Sequence, residues 1–196
     1  MLRAERVGSM DRVLVERAQA GDRDAFDRLV RASIRRLLGV ARLILRDSDL
    51  AEDAVQDALI LAWRDLRALR DPAAWDAWSR RLTVNACYKA AGRTRRRTEV
   101  ESEVTADPRA AQVPDPSVDV ADREWVLGAL HRLGLDQRAV IVLHYYLDLP
   151  VTDVAEILDI PYGTAASRLH RGLEAMRTSM RVDSGAEPRL ASDGTS

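Results

Sequence analysis

The sequence predicts an all-α protein, with two small helical domains joined by a flexible acidic linker and a helix-turn-helix in the second domain. Three observations predict it. Apolar residues recur at helical spacing in several long segments, and no segment alternates apolar and polar residues in the manner of a strand. Residues 98–120 have no helical period, hold Pro108, Pro114 and Pro116, and carry more acids than bases, a composition suited to an extended or disordered connection. Such a stretch is too long to be a plain loop inside one compact domain. Beyond it, Pro150 to Arg177 reads as a short amphipathic helix, a turn marked by Pro161 and Gly163, and a second helix bearing Arg168, His170 and Arg171.

The first domain spans 11–97. Asp11 to Ala20 fits a short helix that Gly21 ends, and either Met1 or Met10 is the start of the chain. Asp22 is an N-cap for a long amphipathic helix to about Arg46, with Phe26, Leu29, Val30, Leu37, Leu38, Ala41, Ile44 and Leu45 on its apolar side. Asp47-Ser48-Asp49 is the next turn and cap, with Glu52 three residues after Asp49. A second helix then runs from Leu50 to about Leu69. Asp71-Pro72 starts a third, striped by Trp75, Trp78, Leu82 and Ala86, which Gly92 terminates. The second domain spans 121–181: Val126, Leu127, Leu130 and Leu133 define one helix, Val140, Leu143 and Leu147 the next, and the helix-turn-helix completes it. Residues 182–196 are small and polar, a disordered tail.

Composition limits the function. The 196 residues are 46% hydrophobic with net charge −1, so the chain as a whole is not a basic nucleic-acid binder. No run approaches a membrane span and the N-terminus has no apolar signal core, which places the protein in the cytoplasm without direct membrane insertion. Cys87 is the only cysteine, which rules out an internal disulfide or a multi-cysteine zinc site. The three histidines show no ligand spacing, and there is no phosphate loop or nucleophile motif, so we expect no metal, no cofactor and no enzyme activity. The Arg and Ala bias suggests a GC-rich genome.

Four groups of residues remain as candidate sites, each with a plainer reading beside it. In the helix-turn-helix, Thr164, Ser167 and Arg168 lie on the early turns of the second helix and His170 and Arg171 one turn on, positions from which a recognition helix reaches base edges. The plainer reading is a helical hairpin with surface arginines. The cluster Lys89, Arg93, Arg95, Arg96 and Arg97 either complements a helix C-terminus or contacts phosphate. Trp75 and Trp78 are either core or platforms for unpaired bases, with Asn85 two turns along the same side. Asp53, Gln56 and Asp57 form a polar face opposite Val55, Leu59 and Ala62, either solvated or suited to a protein partner.

Taken together these motifs resemble a bacterial, actinobacterial-type RNA polymerase sigma factor of the extracytoplasmic-function (ECF) subgroup. Asp49 to Asp57, continuing to Ala62-Trp63-Arg64, resembles the polymerase-binding helix; Trp75 to Arg97 resembles the element that melts and reads the promoter; Leu143 to Arg177 is similar to the C-terminal sigma domain. The resemblance implies docking on the β′ clamp helices of core RNA polymerase through Asp53, Gln56, Asp57, Ile60 and Trp63. It implies capture of the minus-ten element by Trp75, Trp78, Asn85, Lys89, Arg93, Arg95 and Arg96. It also implies minus-thirty-five reading by His144, Thr164, Ser167, Arg168, His170 and Arg171, a contact with the β flap, passage of the linker along the RNA exit path, and control by a cognate anti-sigma factor. Three positions depart from the family pattern: Ala166 and His144 replace basic residues, and Pro150 replaces a Ser cap. The rival is a stand-alone helix-turn-helix regulator, which would bind duplex DNA alone as a symmetric dimer.

Overall fold

The computed structural model describes residues 12–100 and 120–183, and the side chains of 97–100, 120–123, 182 and 183 are outside that description. The described residues form helices and turns only. We label them α1 (12–19), α2 (Arg23–Leu45), α3 (Ser48–Asp65), α4 (Trp75–Val100), α5 (Val120–His131), α6 (Leu135–Ile141), α7 (Val151–Leu158) and α8 (Tyr162–Asp183). Residues 101–119, which hold most of the expected acidic linker, lie outside the described residues. So do 1–11, with both candidate start methionines, and most of the expected tail.

Local chemistry sets the helix starts. Asp22 accepts a hydrogen bond from the Ala25 amide (3.0 Å) and caps α2, after Gly21 turns the chain at φ 99°, a conformation open to glycine. Asp47, not Asp49, caps α3, accepting from the Leu50 amide (2.9 Å). It sits where its carboxylate reaches the third amide of the helix, and Asp49 is then already inside the first turn. α3 ends at Asp65 and passes into a 3₁₀ turn, Leu66–Ala68, whose Leu66 carbonyl accepts from the Gln19 side chain, as does that of Leu69. Pro72 lies in a second 3₁₀ turn, so α4 proper begins at Trp75.

Gly92 does not end α4. The helix continues to Val100, with the Arg96 guanidinium folding back on the Gly92 carbonyl and Arg93 reaching Asp57 of α3. A mid-helix glycine costs only ~1 kcal/mol relative to alanine, which such contacts offset. α4 therefore extends three residues into the segment expected to be linker. Gly163 likewise lies inside α8; the turn between α7 and α8 is made by Asp159 in the left-handed region (φ 54°) with Ile160 and Pro161.

The core lies between α2, α3 and α4, where Leu37, Val40, Ile44, Ala51, Ala54 and Val84 are buried, and it continues without a break into Leu130, Val140, Leu143, Val154 and Ile157 of the second unit. A second cluster beside it gathers α1, the end of α3 and Trp75 around Leu29. No described helix is long and apolar enough to cross a membrane.

Candidate functional site

α2 has more apolar surface than one core needs. Leu29, Leu37, Val40 and Ile44 face inward, while Phe26, Val30, Ile34 and Leu38, spaced four apart, form a second stripe that is only half-buried. This second stripe and the outer face of α3 enclose an open groove of about 700 Å³. Val55 and Leu59 form its floor, Ile60 and Trp63 one wall, and Glu52 and Gln56 its polar rim. Ile60 is 57% exposed and Trp63 39%, a large apolar outlay for an unpaired helix face. Phe26 closes one end, its ring 4.9 Å from that of Trp63 and 6.0 Å from that of Trp75.

Of the α3 residues singled out in the sequence, Gln56, Ile60 and Trp63 line the groove, and all five, including Asp53 and Asp57, are exposed. Asp57 pairs with Arg93 of α4 at 3.5 Å, so the acidic flank of α3 borders the basic face of α4. The groove wall formed by Phe26, Val30 and Ile34 was not singled out. Its signal was an apolar stripe on α2 wider than a single buried face requires.

On α4 the predicted residues separate. Asn85, Lys89, Arg93, Arg95 and Arg96 are exposed, and Asn85 and Lys89 lie one turn apart on one face. Trp75, proposed above as a base contact, is 2% exposed and belongs to the core. It sits at the helix start, where α1, α2 and α3 converge on it. Trp78 is half-buried beside it, ring centroids 5.9 Å apart. Arg97 falls among the undescribed side chains. Cys87 is buried on the inner face, where burial pushes its thiol up to about 12, so it is an inert core residue.

In the helix-turn-helix, α7 starts at Pro150 with no side-chain cap, and Asp153 supplies acid to its first turn. α8 presents Thr164, Ser167 and Arg171 along one side. The Ser167 hydroxyl donates to the Thr164 carbonyl (3.1 Å), and Arg171 donates to the Ser167 hydroxyl (3.1 Å) and carbonyl (3.3 Å). His170 lies 3.5 Å from Glu174 on the exposed side. Arg168 is paired with Asp136 of α6 at 2.7 Å, its side chain partly exposed. His144 is not on the recognition helix. It sits in a π turn, Val142–Tyr146, with Nδ1 2.6 Å from the Leu149 carbonyl, where it closes the entry to α7. Among the described residues no group of three or more His, Cys, Asp or Glu is placed to hold a metal ion.

Residues 29–97 match the model of the family described as Sigma-70 region 2, and residues 123–176 that of Sigma-70, region 4. The chain is 36% identical over 152 residues to the ECF RNA polymerase sigma factor SigM of Mycobacterium tuberculosis, covering 78% of this chain and 75% of that one. It is 32% identical over 178 residues to the ECF RNA polymerase sigma-E factor of Escherichia coli, covering 85% and 92%. Among solved structures it is similar to the sigma factor RpoE of Bartonella quintana, determined in complex with the anti-sigma factor NepR, with a TM-score of 0.69 and 25% identity over 81% of this chain and 98% of that one.

Proposed function

The chain belongs to the ECF RNA polymerase sigma factors, and on that premise we propose how its residues divide the work of transcription initiation. As a sigma factor it binds core RNA polymerase and promoter DNA and directs where transcription starts. The presence of a region 2 removes the reading as a stand-alone regulator. The polymerase performs the chemistry, and this chain supplies address and strand opening from the cytoplasm.

The α2/α3 groove receives the β′ clamp helices. A helix laid into it would bury Ile60, Trp63 and the Phe26 stripe, and an apolar centre with a polar rim is the arrangement in which a few anchors carry most of the affinity. Asp53, Gln56 and Asp57 orient the partner by charge and hydrogen bonding. Along α4, Lys89, Arg93, Arg95 and Arg96 grip the phosphates of the minus-ten element, and Asn85 and Trp78 hold an unpaired base. Capturing a base that has already left the stack is cheaper than extruding it. Thr164, Ser167, His170 and Arg171 enter the major groove of the minus-thirty-five element. A cognate anti-sigma factor would inhibit by covering these same surfaces.

The observation that carries the reading is the uncovered α2/α3 groove lying beside the basic face of α4 in one packed three-helix unit. Reconstituted transcription with core polymerase and genomic fragments tests it. The expected result is a discrete set of start sites that depends on this chain; core polymerase that neither binds it nor gains specific starts would reject the reading.

A further inference from the structure

The α2 wall of the groove has a charged edge of its own. The apolar row Phe26, Val30, Ile34 and Leu38 is flanked, one residue further on, by the row Asp27, Arg31 and Arg35 at the same four-residue spacing. Residues four apart on a helix stand one above the other, so the two rows run side by side along α2. Asp27 reaches the groove itself, and Arg31 and Arg35 stand exposed on the same edge.

The neighbouring arginines are committed elsewhere. Arg36 pairs with Asp76 of α4 (3.2 Å), and Arg42 with Glu52 of α3 (2.8 Å) at the Leu38 end of the groove. Arg31 and Arg35 have no hydrogen-bond or ion-pair partner among the described residues, although Asp27 lies one turn from Arg31. Two like charges one turn apart disfavour a helix slightly, so the pair does nothing for the stability of α2. The opposite edge of the groove carries the opposite sign. Asp53 and Asp57 are exposed along the outer side of α3, beside Glu52 and Gln56, and Asp53 also has no ion-pair partner among the described residues. Basic α2 and acidic α3 edges are thus held apart by an apolar floor of Val55 and Leu59.

We propose that Arg31 and Arg35 form a basic rim that takes acidic side chains of the helix lying in the groove. A partner then enters in one orientation only, its acidic side toward α2 and its basic side toward α3. The proposal rests on the groove as the polymerase-docking site and adds to it the sign of charge that each side of the partner carries. An apolar floor alone accepts a helix in either direction. Rims of opposite sign reject the reversed helix, because reversal sets like charges against each other on both sides. Exposed rim charges act mainly on the rate of encounter, and salt screens them.

Titration of core polymerase with the full chain carrying both Arg31→Glu and Arg35→Glu tests this. Both positions are exposed, so helix content should match wild type. The expected result is a rise in Kd of about tenfold or more at low salt, carried mostly by slower association, that shrinks as salt is raised from about 0.05 M to about 0.5 M. A second arm changes each exposed acidic residue of the β′ clamp helices to lysine in turn. At least one such change should restore binding of the double variant while weakening that of wild type. An unchanged Kd with unchanged promoter binding would overturn the proposal, the ridge then being a solvated face. So would an unchanged core affinity with weaker promoter binding by the holoenzyme, which assigns the arginines to nucleic acid, and so would a loss that no clamp-helix lysine restores. Failure of the wild-type chain to bind core polymerase, or full binding by a Trp63→Asp variant, would instead reject the groove itself as the docking site.

Discussion

The outer face of α3 and the recognition helix α8 both carry proposed contacts, yet the fold treats them differently. On α3, Gln56, Ile60 and Trp63 look onto an open groove, and no part of the second unit lines it. On α8, Arg168 is already bound to Asp136 and Arg171 to Ser167, and the helix stands on a unit latched to α2 and α4. The surface proposed to face polymerase is open in this structure, and the surface proposed to face DNA is partly satisfied by internal pairs.

The largest effect should come from the groove. Trp63→Asp places a charge where an apolar anchor is needed and should weaken binding to core polymerase by about 2–4 kcal/mol, a thirtyfold or greater rise in Kd by titration. The helix-turn-helix should be unaffected, so a purified fragment bearing 120–183 would be a poor control; near-wild-type helix content in the full chain is the better one. Next, Arg171→Ala should cost ~1–3 kcal/mol in promoter binding by the holoenzyme. A loss confined to one base position identifies a base reader, and a uniform loss across sequences a phosphate grip. Lys89→Ala should lower affinity more modestly on all promoters and reduce the slope of log K against log salt by about 1. Unchanged slope would remove Lys89 from the phosphate-contacting face.

A smaller effect concerns pH. Burial first, then the charges of Arg46 and Arg138, hold the His131 pKa below its ordinary 6.5. The fold therefore disfavours the protonated ring. Its contribution to stability is fully present above pH 6.5 and should be lost as pH falls below it toward the lowered value, read as a falling Tm between pH 7 and 5. The smallest effect is local: Asp47→Ala removes the α3 cap and should lower stability by ~1 kcal/mol, a fall of about 2–4 °C in Tm, without altering the groove chemistry.

How legible each feature was depends on how local its cause is. Asp22 and the stripe behind it define α2 within one segment, so the sequence reading and the structure agree there. Asp53, Gln56, Asp57, Ile60 and Trp63 face outward because their spacing opposes Val55 and Ala62 on the same helix. The misreadings arose where distant residues decide. α4 passes through Gly92 because contacts along it and to α3 outweigh glycine's propensity. Trp75 and Trp78 look equivalent in sequence, but only Trp75 is enclosed by three other helices. The pairing of Arg168 with Asp136 was not legible because α6 supplies the partner from a distant segment. The contacts between the two helical units were invisible because their pairs, Arg46 with His131 and Arg138 with Ile44, are 85 and 94 residues apart and each arginine reads as surface.

Site-specific photocrosslinking from position 56 tests the central claim most directly. With a photoreactive residue replacing Gln56 and core polymerase added, the account predicts a crosslink to the clamp helices of β′ that is formed equally with and without promoter DNA. A crosslink to another subunit, or one that appears only when promoter DNA is present, would contradict the assignment of the α2/α3 groove as a preformed docking site.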